Sequence, residues 1–129
     1  MAAVSKLFLT LGALAGMLAV MLGAFGAHAL RAKLTPDLLV VYNTAVQYHF
    51  WHALGLVAVG IVAIHLPASA PLKWAGWLMF TGVLVFSGSL YLLAITGARW
   101  LGAIAPIGGT AFILSWALFA IAIARAPSG

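Results

Sequence analysis

The sequence predicts an all-α integral membrane protein, a bundle of four transmembrane helices. Three observations carry this. Apolar residues make up 66% of the 129-residue chain, charged residues 5%, and the mean hydropathy is +1.21. A soluble domain averages about a quarter charged residues, because a globule must still cover its surface with water-binding groups. The six Lys and Arg residues, Lys6, Arg31, Lys33, Lys73, Arg99 and Arg125, all fall at the edges of apolar runs. That is where a charge escapes the cost of several kcal/mol it would meet, roughly, at a bilayer centre. The chain therefore reads as one transmembrane domain, residues 1–129, with spans near 7–30, 48–64, 72–96 and 105–124.

Residues 7–30 are long enough to cross about 30 Å of hydrocarbon at a rise of about 1.5 Å per residue. Lys6 followed by an apolar run and Ala27-His-Ala29 gives a superficial likeness to a secretory signal. The run exceeds the roughly 7–15 residues of a signal core and is read as a span. Gly12, Gly16, Gly23 and Ala27 fall on one stripe of this helix, a seam of small residues where another helix can approach.

Arg31 to Pro36 is a connection. Thr35-Pro36-Asp37 is a helix start: a capping hydroxyl, a proline in the first turn, and a carboxylate at the positive end of the helix dipole. The apolar pattern then continues to Ile64, which is too long for one bilayer crossing. The second helix is expected to extend out of the bilayer at its N-terminal end, over Asp37 to Gln47. Tyr42, Tyr48 and Trp51 suit headgroup level.

His65 to Pro71 is a turn, with His65 a solvated helix end. The third span enters past Trp74 and Trp77 and ends before Gly97. Gly82, Ser89 and Thr96 form a small or weakly polar stripe, and Ser87 and Tyr91 share a second face. Arg99 and Trp100 mark the surface. Gly102-Ala-Ile-Ala-Pro-Ile-Gly-Gly109 opens the fourth span. Pro106 is tolerable in a first turn, but deeper in a helix it would free a carbonyl that something must satisfy.

Four crossings place both termini on one face, with Lys6, Lys73 and Arg125. Arg31, Lys33 and Arg99 lie on the other. Three against three leaves the orientation open under the positive-inside rule. The net charge of +5 comes from isolated residues, which cannot track a phosphate backbone, so nucleic acid is not an expected partner. The chain lacks cysteine and so has no disulfide, thiolate nucleophile or cysteine metal site.

Several motifs are shared with a known family. Gly23-Ala-Phe-Gly-Ala-His28, Thr44-Ala-Val with Tyr48 and His52-Ala-Leu, Phe86-Ser-Gly-Ser-Leu-Tyr91, and Pro106-Ile-Gly-Gly109 with Trp116 resemble, in order and over nearly the whole chain, the YwdK/YgdD-like family of small multi-pass membrane proteins. The resemblance implies a protein of the bacterial inner membrane, the plasma membrane, with no established activity. His49 falls outside the family pattern and carries less weight than His52.

The candidate polar cluster is His28, His52, Asn43, Gln47, His49, Ser87, Ser89 and Tyr91. If the first two helices are neighbours, His28 and His52 could lie at similar depth. A pair of neutral imidazoles there could tie helices together, relay protons, or hold haem or a metal. His49 and His52, three residues apart, could grip a metal from one helix, but without a carboxylate or cysteine the set is poor, and no metal site is assigned. Asn43 and Gln47 could bond to the start of the fourth helix. There Pro106, Gly108 and Gly109 leave backbone groups that could also meet an anion or a headgroup phosphate.

An enzyme is not expected. Asp37 is the only acidic side chain, so paired-carboxylate chemistry is excluded, and neither a nucleophile elbow nor a phosphate loop is present. The leading expectation is a non-enzymatic interaction or accessory subunit. It would need no cofactor, contact membrane lipids, and self-associate or join a larger membrane complex. The alternatives are a small channel or transporter using His28 and His52, and a bis-histidine haem or metal protein at the same residues.

Overall fold

The computed structural model describes residues 1–128 and places them in helices joined by short turns. The first span is α1 (Ala3–Phe25), continued by a π-helical turn over Gly26–Leu30. The second is α2 (Pro36–His65). The third is α3 (Ala70–Gly82), a π-helical turn over Val83–Ser87, and α4 (Gly88–Thr96). A 3₁₀ turn over Arg99–Ala103 leads into the fourth span, α5 (Ala105–Ala124). Four stretches are long and apolar enough to cross a membrane: Ala3–Leu30, Pro36–His65, Ala70–Thr96 and Arg99–Ala124.

The helix ends follow from local chemistry, with one departure. Ser69 accepts from the Leu72 N–H at the start of α3, a side-chain cap in the usual position. Gly97 closes α4 with φ of 71°, a left-handed conformation that glycine adopts without the clash of a Cβ. Thr35 precedes α2 but does not cap it. Its hydroxyl donates to the Asp37 carboxylate at 2.6 Å instead, because the carboxylate is a stronger acceptor within reach.

Helices α1 and α2 form one antiparallel pair along their whole length, and α3 and α5 form the other. Small residues set the first contact. Ser5, Gly12, Ala19 and Gly26, spaced seven apart, are all buried. A methyl group on Gly12 would meet the Val57 side chain and backbone, and one on Gly26 would strike the Tyr42 ring. The expected seam thus exists but is centred elsewhere. Ala27 is exposed, and Gly26 takes its place against α2. The reason is the seven-residue period of two packed helices, which selects 12, 19 and 26.

A second correction concerns Gly82, Ser89 and Thr96. Gly82 packs against Phe112 of α5, Ser89 is buried, and Thr96 is exposed. The π turn between α3 and α4 holds one more residue than an α turn, so a seven-residue stripe does not stay on one face across it.

The four spans converge at the end that carries both termini. Phe8 of α1, Leu56, Val59 and Ala63 of α2, Leu72 and Met79 of α3, and Ala122 of α5 make one dry core there. Phe8 fits because Gly76 offers no side chain opposite it. Helices α2 and α5 stand apart, without close backbone packing, and aromatic side chains fill the space between them.

Candidate functional site

The polar residues within the bundle cluster on the inner faces of α2, α4 and α5. Helix α2 turns His49, His52 and Ala45 inward, since residues three and four apart share a helix face. The π turn on the third span brings Ser87 to the Ala45 carbonyl, to which its hydroxyl donates at 2.8 Å. One turn further, the Tyr91 hydroxyl lies 2.9 Å from His49 Nδ1. The Tyr91 ring meets the edge of Tyr42, whose own hydroxyl donates to the Leu22 carbonyl of α1. These bonds link three of the four spans.

His52 makes the other cluster. Its Nδ1 lies 2.7 Å from the Tyr48 carbonyl, and its Nε2 lies 2.9 Å from the indole nitrogen of Trp116 on α5. A carbonyl only accepts and an indole N–H only donates, so the ring is neutral with the proton on Nδ1. The imidazole also stacks on Phe112, ring centroids 3.5 Å apart and planes 10° from parallel. Gly55, one turn along, leaves room for the Met79 side chain, beside which the Trp116 ring packs.

The charged residues locate these clusters in depth. Asp37 and Arg99 form an exposed ion pair at 3.3 Å, which marks one rim of the bundle. His65, exposed beside Arg125, marks the other. At about 1.5 Å per residue, His52 lies about 22 Å from Asp37 and about 20 Å from His65, near the middle of α2. Tyr48 and Trp51 lie about 17 and 21 Å from Asp37 on the same count. Helix α2, at about 45 Å, still exceeds a hydrocarbon core of about 30 Å, and its first turns stand outside it.

The expected pairing of His28 with His52 is not formed. His28 is exposed in the π turn that ends the first span. The contacts of Gly12 with Val57 and of Gly26 with Tyr42 set the antiparallel register of the pair. They put His28 level with about residue 40 of α2, so His52 lies about 18 Å deeper. His52 also faces α5, away from α1.

Asn43 and Gln47 are corrected as well. Both are exposed on the outer side of α2, and Asn43 borders a shallow recess with Gly26, Ala27, Arg31 and Leu39. They do not reach the start of α5. The turn between Arg99 and Pro106 is closed by backbone bonds, from Ile104 N to Leu101 O and from Ile107 N to Ile104 O. Gly108 is used for packing, since any Cβ there would run into the Phe86 backbone. Gly109 has ordinary room, and Pro106 is exposed. Ser89, buried on α4, donates to the Phe86 carbonyl.

The sequence pattern did not single out Ser5, Ser115, Phe112 or the bonding of Trp116. Ser115 donates to the Phe112 carbonyl, while the buried Ser5 Oγ has no partner among the described residues. Phe112 and Trp116, four apart, face Tyr48 and His52, also four apart. That matched spacing is the signal the sequence offered. No group of three or more His, Cys, Asp or Glu residues able to hold a metal occurs among the described residues.

This architecture defines a class: a four-span α-helical membrane protein whose buried polar side chains bond helix to helix within the apolar spans. The chain belongs to the family described as "Protein of unknown function (DUF423)", whose model matches residues 22–109. It is 50% identical over 120 residues to the UPF0382 membrane protein YwdK of Bacillus subtilis, covering 93% of this chain and 98% of that protein. It is also 50% identical over 116 residues to a UPF0382 membrane protein of Staphylococcus haemolyticus, covering 90% of this chain and 93% of the relative. A Staphylococcus epidermidis relative is 48% identical over 117 residues, 91% of this chain and 94% of its own length. No solved structure matches the chain. The chain is thus a membrane protein of the YwdK-like family it resembles, and that family's activity is unknown.

Proposed function

We propose that this protein is a non-enzymatic interaction or accessory subunit of the bacterial inner membrane, a rigid four-span element that serves a larger assembly or a second copy of itself. The observation that carries the reading is the bonding of His52. Both ring nitrogens are engaged, one by the Tyr48 carbonyl and one by Trp116. A ring so held ties α2 to α5 and has no nitrogen left for iron, another metal or a passing proton. His28, the other member of the imagined pathway or haem site, is exposed about 18 Å away along the bundle. The serine hydroxyls of Ser87, Ser89 and Ser115 donate to backbone carbonyls, and the one carboxylate, Asp37, sits at an exposed rim. This distribution favours packing over catalysis, and the reading calls for no cofactor. The relatives' origin in Bacillus and Staphylococcus supports the bacterial membrane.

Photo-crosslinking in native membranes tests the reading. A crosslinking residue at Met17 on the outer face of α1, or at Ile113 on the outer face of α5, should give discrete protein adducts. Lipid adducts alone at both positions would contradict it. In parallel, proton flux into liposomes carrying the purified protein should be the same for wild type, His28→Ala and His52→Gln. A flux abolished by either substitution would restore the pathway reading.

A further inference from the structure

At the rim where the first span ends and α2 begins, a recess of about 230 Å³ lies across the seam between the two. Ala27 and Arg31, four residues apart, line one side. Leu39 and Asn43, also four apart and so on one face of α2, line the other, and Gly26 completes it. The packing of Gly26 on Tyr42 puts Arg31 level with about residue 37 of α2, so Asn43 stands about 9 Å further in. Beyond Asn43 the seam turns apolar: Gly23 of α1 meets Val46 of α2, and Val20 and Phe50 are exposed further in. The order along the seam is a cation, an amide, then hydrocarbon.

Arg31 has no side-chain carboxylate to meet. Asp37 is the only acidic side chain of the chain, and Arg99 engages it in an exposed ion pair. A cation that follows a helix can instead serve the last carbonyls. Here the Leu30 carbonyl already accepts from the backbone N–H groups of Lys33 and Leu34. The side-chain bonds nearby join Thr35 to Asp37, Asp37 to Arg99, Tyr42 to Leu22 and Thr44 to Val40, and none involves Arg31 or Asn43. Water would satisfy either donor taken singly. The ordered series matches a more particular occupant. A phospholipid carries its phosphate outermost, its ester carbonyls next and its acyl chains beyond, in a headgroup layer about 5–7 Å deep. The long arginine stem covers the remaining difference in level. A guanidinium fits a phosphate with two parallel bonds. A zwitterionic headgroup neutralises its own phosphate, whereas an anionic one leaves that charge for the protein.

We infer that this recess seats one anionic phospholipid, its phosphate on the Arg31 guanidinium, an ester carbonyl accepting from the Asn43 carboxamide, and an acyl chain along the seam past Gly23 and Val46. The site lies apart from the start of α5 and does not depend on the subunit reading above.

The full chain in detergent micelles is mixed with phosphatidylglycerol and phosphatidylcholine, and bound lipid is counted by native mass spectrometry. One phosphatidylglycerol should bind per chain, about tenfold or more tighter than phosphatidylcholine, and Arg31→Gln should remove that preference. Lys33→Gln deletes the same charge two residues along the connection, outside the recess, and should weaken binding less than about threefold. Asn43→Ala leaves the charge unchanged and should weaken phosphatidylglycerol binding about threefold or more. All three positions are exposed, so the variants should fold. Equal losses in Arg31→Gln and Lys33→Gln, or no loss in Asn43→Ala, would show diffuse attraction to a charged rim and overturn the inference. Displacement of the lipid by excess inorganic phosphate would mark a site for a free anion and overturn it as well.

Discussion

Gly108 and Gly109 are neighbours in the chain with opposite tolerances. At Gly108 an added Cβ would run into the Phe86 backbone, which cannot rotate away as a side chain end can. At Gly109 the nearest atoms are ring carbons at 3.7 and 3.9 Å. Gly108→Ala should therefore lower stability by about 1–3 kcal/mol, the usual cost of overpacking, while Gly109→Ala should change it little. Thermal unfolding in detergent checks the pair; equal melting temperatures would contradict the close approach of α5 to the third span. The same measurement applies to Trp116→Phe, which leaves a buried histidine nitrogen without its donor and should cost about 1–3 kcal/mol. His28→Ala, at an exposed ring, should cost nothing measurable. The sequence marked His28 and His52 equally, as rare ionisable groups in apolar surroundings. It could not tell them apart, because the distinction lies in which helix face each occupies and how deep.

The π turns decide those faces on the third span. The turn over Val83–Ser87 places Ser87 against Ala45 and, through the Phe86 backbone, against Gly108. Removing one residue from it, most simply the outward Leu84, should restore a regular α turn and rotate α4 relative to α3. His49 would then lose Tyr91, and the melting temperature should fall well below that of wild type. An unchanged value would show that the extra residue is not needed. A π turn has no plain sequence signature, which is why the stripe of Gly82, Ser89 and Thr96 looked continuous when read at seven-residue spacing. The helix stop at Gly97 was legible, because a left-handed residue is written directly as glycine. Gly97→Ala should cost about 1 kcal/mol for the same reason. At the rim, the Thr35 hydroxyl, and after it the Arg99 guanidinium, hold the Asp37 carboxyl below its ordinary value of 3.8. A depressed carboxyl stabilises the fold above its unfolded value and loses that contribution as pH falls through the lower, folded one. Acid unfolding below about pH 4 should thus be slightly less steep in Asp37→Asn, an exposed pair having little to give.

Across the whole molecule, composition and the position of charges were enough to foretell four crossings with both termini on one side, since the bilayer tolerates few alternatives. Pairing was not legible. Nothing in the apolar runs says that α1 packs on α2 and α3 on α5, or that α2 and α5 stand apart, because that is settled by the registers of Gly12, Gly26, Gly60, Gly76 and Gly108 against larger partners. The result is a bundle closed tightly at the end bearing the termini and bonded across its middle by His49–Tyr91 and His52–Trp116. The buried polar groups thus serve as ties between helices. Solid-state ¹⁵N spectroscopy of His52 in lipid, at neutral pH, addresses it directly. The account predicts a neutral ring protonated at Nδ1, with Nε2 accepting from the Trp116 indole. A ring protonated at Nε2, or at both nitrogens, would contradict it.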